Sequence, residues 1–198
     1  MMLISAIYGM KSQQHPWTCG AAVVRNALRA FGKKVSEGEV RIQAGTTRDY
    51  GTSEHGIMNA LRAFDMDFEE AGFHMTGEAW FWLHEQFEKG RTVITCVENW
   101  EHWVLALGSA GDRIVIFDSS NWKYNIYENG THLWDFDRMM FKWWNDRKSI
   151  EDGEKRIYAI STWPKENGAR PGGIQSLQNS EAGFDTSAPR KESESDEC

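Results

Sequence analysis

A change of hydrophobic period near the middle of this chain constrains its fold more than any other feature. Up to about residue 90, apolar side chains recur at helical spacing; beyond it, short β-branched and aromatic runs alternate with turn residues. Residues 19–31 (CGAAVVRNALRAF) put Ala22, Val23, Leu28 and Phe31 at roughly helical spacing, with Thr18 as N-cap and Gly32 as terminator. A second helix is expected near Ser36, where Ser36 and Glu39 make a capping-box pattern. Residues 45–52 read as a loop, 53–64 as a third helix, and about 77–89 as a fourth carrying Trp80, Phe81, Leu83 and Phe87. Residues 91–98, 102–108, 113–118, 123–128 and 156–163 read as strands, and 131–144 as one further helix. Helices first and antiparallel strands second predict an α+β fold, with N-terminal helices packed on a C-terminal sheet.

A break in composition near Pro164 sets the domain boundary. Residues 165–198 are rich in Gly, Ser, Glu and Pro and nearly free of large apolar residues. Such a segment buries too little surface to offset its ordering entropy, so it is expected to be a disordered acidic tail. Residues 1–164 are then one domain, with ten Trp in the chain to build a core. The net charge of -7 argues against nucleic acid as a partner. No apolar run reaches the length of a membrane span, and no basic region precedes the short apolar N-terminus, so neither a transmembrane segment nor a secretory signal is expected. Three cysteines, Cys19, Cys96 and Cys198, are too few and too odd for a disulfide framework. A reducing cytoplasm is the expected compartment, and there a single cysteine is free to act as a thiolate. A monomer is the expected oligomeric state.

Cys19 stands at the expected first turn of a helix, where unpaired amides and the positive dipole end favour a thiolate. Gly20 and Ala21 leave room beside it. Gln13, six residues earlier, is placed to donate its side-chain amide to an oxyanion, together with the Cys19 backbone amide; Gln14 and His15 are its rivals in sequence. His102 and Asp118 open and close two strands joined by residues 108–112 (GSAGD). A turn symmetric about Ala110 sets residue 102 opposite residue 118, on one face, so that the carboxylate fixes the imidazole. The register is an assumption, since a slip of one residue separates the two. His55 reads as a cleft or capping residue, and His74, His84 and His132 have no matching partner. Cys96 reads as core, and the aromatic residues from Trp134 to Trp144 as a packed helix face. No Cys or His spacing suits zinc and no glycine run suits a phosphate loop, so no metal or cofactor is expected.

Assembled, these residues resemble the bacteriocin-processing cysteine peptidases, papain-like domains that are often fused to ABC transporters and also stand alone. The resemblance spans about residues 5–125. Gln13 with Thr18–Ala22 is similar to the family's Gln and D-C-G nucleophile motif, at the same six-residue offset. Gly51, Thr52 and Ser53 with the following helix resemble its mid-domain loop and helix. His102 with the apolar residues after it resembles the H-[FWY]-V-V-[VL] strand, and Asp118 the Asp that ends the next strand. Thr18 replaces the usual Asp and Ser119 a usual Pro, and a stand-alone form without transporter parts is expected. The resemblance implies a papain-like fold and a Cys19–His102–Asp118 triad with Gln13 as oxyanion donor. It implies cleavage of a peptide or protein substrate after two small residues, usually glycines, through a thioester and without a cofactor. An acyltransferase, isopeptidase or amidase, or a groove that binds peptides without turnover, are the competing readings.

Overall fold

The computed structural model describes residues 9–120, 130–144 and 157–165. In chain order they form α1 (Cys19–Ala30), α2 (Glu37–Ala44), α3 (Glu54–Ala63), β1 (Met66–Phe73), α4 (Thr76–Glu88), β2 (Thr92–Val97), β3 (His102–Ala110), β4 (Arg113–Phe117), β5 (Thr131–Trp134), α5 (Phe136–Trp143) and β6 (Ile157–Pro164). The strands make one sheet in the order β1-β6-β2-β3-β4-β5, with every neighbouring pair antiparallel. The expected strand at 123–128 and the expected tail after residue 165 lie outside the described residues.

Period-2 alternation gives the sheet two apolar faces. On one, Ile94, Cys96, Leu105, Phe117 and Ile160 pack with α1, α2 and α3 through Val24, Leu28, Val40, Ile57 and Leu61. On the other, Val93, Val104, Ile114, Ile116 and Ala159 pack with α4 and α5 through Leu83, Phe87, Met139 and Trp143. The helices therefore cover both faces. Leu28 and Leu61 are wholly buried, and truncating either to Ala costs about 2–5 kcal/mol.

The capping box at Ser36 forms as its sequence predicts, with Ser36 Oγ accepting from Glu39 N and Glu39 Oε2 accepting from Ser36 N. Three expectations need correction. Residues 66–73 form β1, which the sequence reading omitted; Glu69 and Glu70 are poor strand formers, but this is an edge strand and both are exposed. The helix expected over 131–144 is a strand and then a helix, because Asp135 caps a new helix by accepting from Arg138 N at 2.9 Å. The turn between β3 and β4 is Gly111–Asp112, so Ala110 pairs with Arg113 rather than sitting at a centre of symmetry.

The pairing that follows has a consequence for the two candidate side chains. A bulge between Ala106 and Gly108 shifts the register, so that Leu105 pairs with Phe117. Continued by one step, this sets Asp118 opposite Val104, one diagonal position from His102. Without the extra residue Asp118 would fall opposite Leu105 and project to the other face. The bulge restores the parity that the assumed symmetric turn would have supplied.

Candidate active site

Cys19 is the first residue of α1 and is buried. Thr18 occupies the N-cap position, but its hydroxyl does not cap the helix. It turns back to His15, donating to the carbonyl at 2.9 Å and accepting from the amide at 3.1 Å. That leaves the first-turn amides of α1 without a side-chain cap, beside a cysteine and with no acidic residue in the turn. Such an end favours an anion. Gly20 is required by close approach: a Cβ there would lie 2.5 Å from the Cβ of Thr52. Thr52 in turn accepts from Trp103 Nε1 at 2.9 Å, which ties the start of α1 to the start of β3.

His102 opens β3 at the end of a connection that runs through Glu98, Asn99 and Trp100, all left-handed with φ of 56°, 58° and 68°. Non-glycine residues in that region cost roughly 1–2 kcal/mol each. The turn is held by the Glu98 amide donating to Lys142 O at 2.8 Å, and by an ion pair between the two side chains. His102 Nε2 lies 2.8 Å from Asp118 Oδ1, which leaves Nδ1 as the ring nitrogen for Cys19. The same Oδ1 accepts from Ser120 N at 2.8 Å and Ser120 Oγ at 2.6 Å. Asp118 N donates to Gly130 O at 2.8 Å. Gly130 has φ of 69°, and a Cβ on it would meet Asp118 O at 2.4 Å, so only glycine fits beside the carboxylate's backbone.

The electrostatics follow from these contacts. Burial raises the Cys19 pKa, but a hydrogen bond and the charge of His102, with the Trp103 and Gly20 backbone, outweigh it and hold the thiol below its ordinary value. Burial opposes the charged form of His102 as well; the Asp118 hydrogen bond, the Cys19 contact and both negative charges push its pKa up to about 10. Asp118 is held well below the usual carboxylate range, because the His102 bond and charge and the two Ser120 donors overcome its burial. These shifts all favour a thiolate beside an imidazolium, backed by a carboxylate.

Gln13 is buried, and both ends of its carboxamide are engaged. Nε2 donates to His15 O at 2.9 Å, and Oε1 accepts from Ser119 Oγ at 2.9 Å. The Gln13 amide also donates to Ser119 O at 3.0 Å. A buried polar network fixes the segment around it. Arg25 Nη1 pairs with Glu37 Oε2 at 3.1 Å, Glu37 accepts from Gln14 N, Arg25 donates to the carbonyls of Lys11 and Ser12, and Asn26 brackets Lys11. Gln14 is thus held by its backbone and is exposed.

Cys19, His102 and Asp118 therefore meet where the start of α1 adjoins one end of the sheet, and Gln13 is tied to the same end through Ser119, the residue after Asp118. His55 and His74 are exposed on α3 and before α4. His84 packs edge-on to Trp80, on the other face of the sheet. His132 lies half-buried on β5, where burial lowers its pKa and the charge of Asp118 opposes the shift, so it sits closer to the site than its sequence position suggested. Cys96 is core in β2. Among the described residues no group of three His, Cys, Asp or Glu side chains is placed to hold a metal ion, and no helix is long and apolar enough to cross a membrane. Sequence reasoning noted Thr52 and Ser119 only through the family resemblance and gave neither a contact in the site, and it missed Ser120, Gly130 and the Arg25–Glu37 pair. Of these only Arg25 carried a signal, a charge amid an apolar helix.

The protein's likeness to known proteins agrees with this architecture. A double glycine motif protease from an AMS/PCAT transporter, solved in complex with a leader peptide, matches with a TM-score of 0.55 at 18% identity, over 77% of this chain and 89% of that one. The peptidase domain of Streptococcus ComA, a bi-functional ABC transporter of a quorum-sensing pathway, matches with a TM-score of 0.55 at 18% identity, over 78% of this chain and 96% of that one. The peptidase domain of Streptococcus mutans ComA matches with a TM-score of 0.52 at 17% identity, over 79% of this chain and all of that one. These likenesses establish the papain-like fold. No curated protein matches the sequence. The model of the peptidase C39 family matches residues 8–132, which take in Gln13, Cys19, His102 and Asp118. The chain belongs to the peptidase C39 family and is a cysteine peptidase.

Proposed function

We propose that this peptidase cleaves a leader peptide after two small residues, with Cys19 as nucleophile, His102 as acid and base, Asp118 as orienting carboxylate and Gln13 as oxyanion donor. The observation that carries the reading is the Cys19 thiol, held below its ordinary pKa by a histidine that Asp118 grips at 2.8 Å. The Cys19 thiolate attacks the scissile carbonyl carbon, and the carbonyl π electrons move to oxygen. The second Nε2–H of Gln13 and the Cys19 backbone N–H receive that charge. The tetrahedral species collapses, His102 gives its proton to the leaving amine, and a thioester remains. His102 then takes a proton from water, hydroxide adds to the thioester, and the thiolate leaves. No step calls for a cofactor. Two free cysteines in the core suit a reducing compartment such as the cytoplasm.

The leader substrate is argued from the family and from the solved relative bound to a leader peptide. The test is mass spectrometry of a synthetic leader containing a Gly-Gly pair after incubation with the chain. The expected products are a fragment ending in a free glycine carboxylate and a fragment with a new amine, both absent with Cys19→Ala. A fragment joined to an added amine instead would point to an acyltransferase. Tight binding of an uncut peptide would point to a groove without turnover.

A further inference from the structure

We propose that Ser119 is a positioning residue for the oxyanion amide: the His15 carbonyl sets which end of the Gln13 carboxamide is the donor, and the Ser119 hydroxyl anchors the other end so that the donor stays facing the substrate. The inference rests on the reading of Gln13 as oxyanion donor. A carboxamide is almost symmetric in shape and opposite in function at its two ends. Turned one way it donates to an oxyanion; turned the other it presents lone pairs and repels one. The His15 carbonyl can only accept, so the end of Gln13 that meets it at 2.9 Å must be Nε2. The Ser119 hydroxyl then donates to Oε1 at 2.9 Å, and the Ser119 carbonyl holds the Gln13 backbone amide at 3.0 Å. Ser119 is fully buried, so water does not replace its hydroxyl.

Ser119 directly follows Asp118. One turn therefore supplies both the carboxylate that orients the imidazole and the hydroxyl that orients the oxyanion amide. The nucleophile's base and the transition-state donor, which come from opposite halves of the sequence, share a single support.

Ser119→Ala leaves Gln13 Oε1 buried without that donor and the amide held by the His15 carbonyl alone, so its second N–H is no longer fixed in direction. The assay is turnover of a leader-derived peptide ending in Gly-Gly-aminomethylcoumarin, with iodoacetamide alkylation of Cys19 followed across pH. Ser119→Ala is expected to lower kcat about tenfold, to leave KM within twofold, and to leave the alkylation profile unmoved, because alkylation forms no oxyanion. In a Gln13→Ala background Ser119→Ala should add no further loss. Full kcat in Ser119→Ala overturns the inference, as does a loss that persists undiminished beside Gln13→Ala. A shifted alkylation profile also overturns it, since Ser119 would then act through Asp118. If Gln13→Ala itself keeps full turnover, the oxyanion reading fails; if Gln13→Ala is impaired and Ser119→Ala is not, only the role of Ser119 fails.

Discussion

Cys19 and Cys96 are both free and both buried, and their thiols are driven in opposite directions. Burial pushes both up. At Cys96, in the middle of β2, burial dominates, the negative charge of Cys19 adds to it, and the backbone donors do too little, so the thiol stays protonated far above its ordinary value. At Cys19 a helix start and an imidazolium reverse the same penalty. Neither burial nor residue type lowers a thiol's pKa. A partner charge held in one place does, and the strand ends that hold His102 and Asp118 supply it.

The sharpest way to break this contrast is to remove the partner. His102→Ala should abolish measurable turnover and raise the Cys19 pKa, so that the two thiols become alike toward iodoacetamide; alkylation rates of both cysteines across pH test this. Unchanged turnover with an unchanged profile would overturn the triad. Gln13→Ala should cut turnover roughly 10²–10³-fold while leaving Cys19 alkylation intact, because it removes a donor to the transition state and none to the thiolate. Asp118→Asn should cost less than His102→Ala, since an amide oxygen can still accept from Nε2. It should also move the His102 pKa down from about 10, which NMR titration of the ring reads. In the wild type, acylation should rise as pH passes the lowered Cys19 value, below 9.0, and fall as it passes about 10. Cys96→Ala sits at the small end, with turnover unchanged and a stability loss of about 1 kcal/mol by denaturant melt.

The same shifts set the pH dependence of stability. The folded pKa of His102 lies above its free value of 6.5, so its contribution is complete below that pH and fades as pH climbs through about 10. Asp118 is shifted down, so its contribution is present above 3.8 and is lost as pH falls through its lower folded value.

The sequence carried the candidate site residues more plainly than the geometry that joins them. Cys19, His102 and Asp118 stood out because reactive types fell at element ends. Their meeting depends on a two-residue turn and a bulge after Ala106 that no residue pattern announces. The capping box at Ser36 was legible because its two residues are three positions apart in sequence. The Ser119–Gln13 bond joins residues 106 positions apart, and Ser119 alone reads as a turn serine. β1 escaped because edge strands tolerate the glutamates that a central strand rejects.

The position of β6 gives the molecule a built-in order of assembly. β1 and β2 are consecutive strands, yet each pairs with β6 and not with the other. Tyr158 in β6 also accepts from Thr95 Oγ1 at 2.7 Å and from Trp143 Nε1 at 3.0 Å. Every residue of the candidate site has left the ribosome well before residues 157–164 have. Until they emerge, β2, which leads through the left-handed turn into His102, has one open edge, and β1 has no neighbour. The sheet that carries His102 is thus completed late in synthesis, and a nascent chain stalled short of β6 holds its reactive residues without the closed sheet that aligns them.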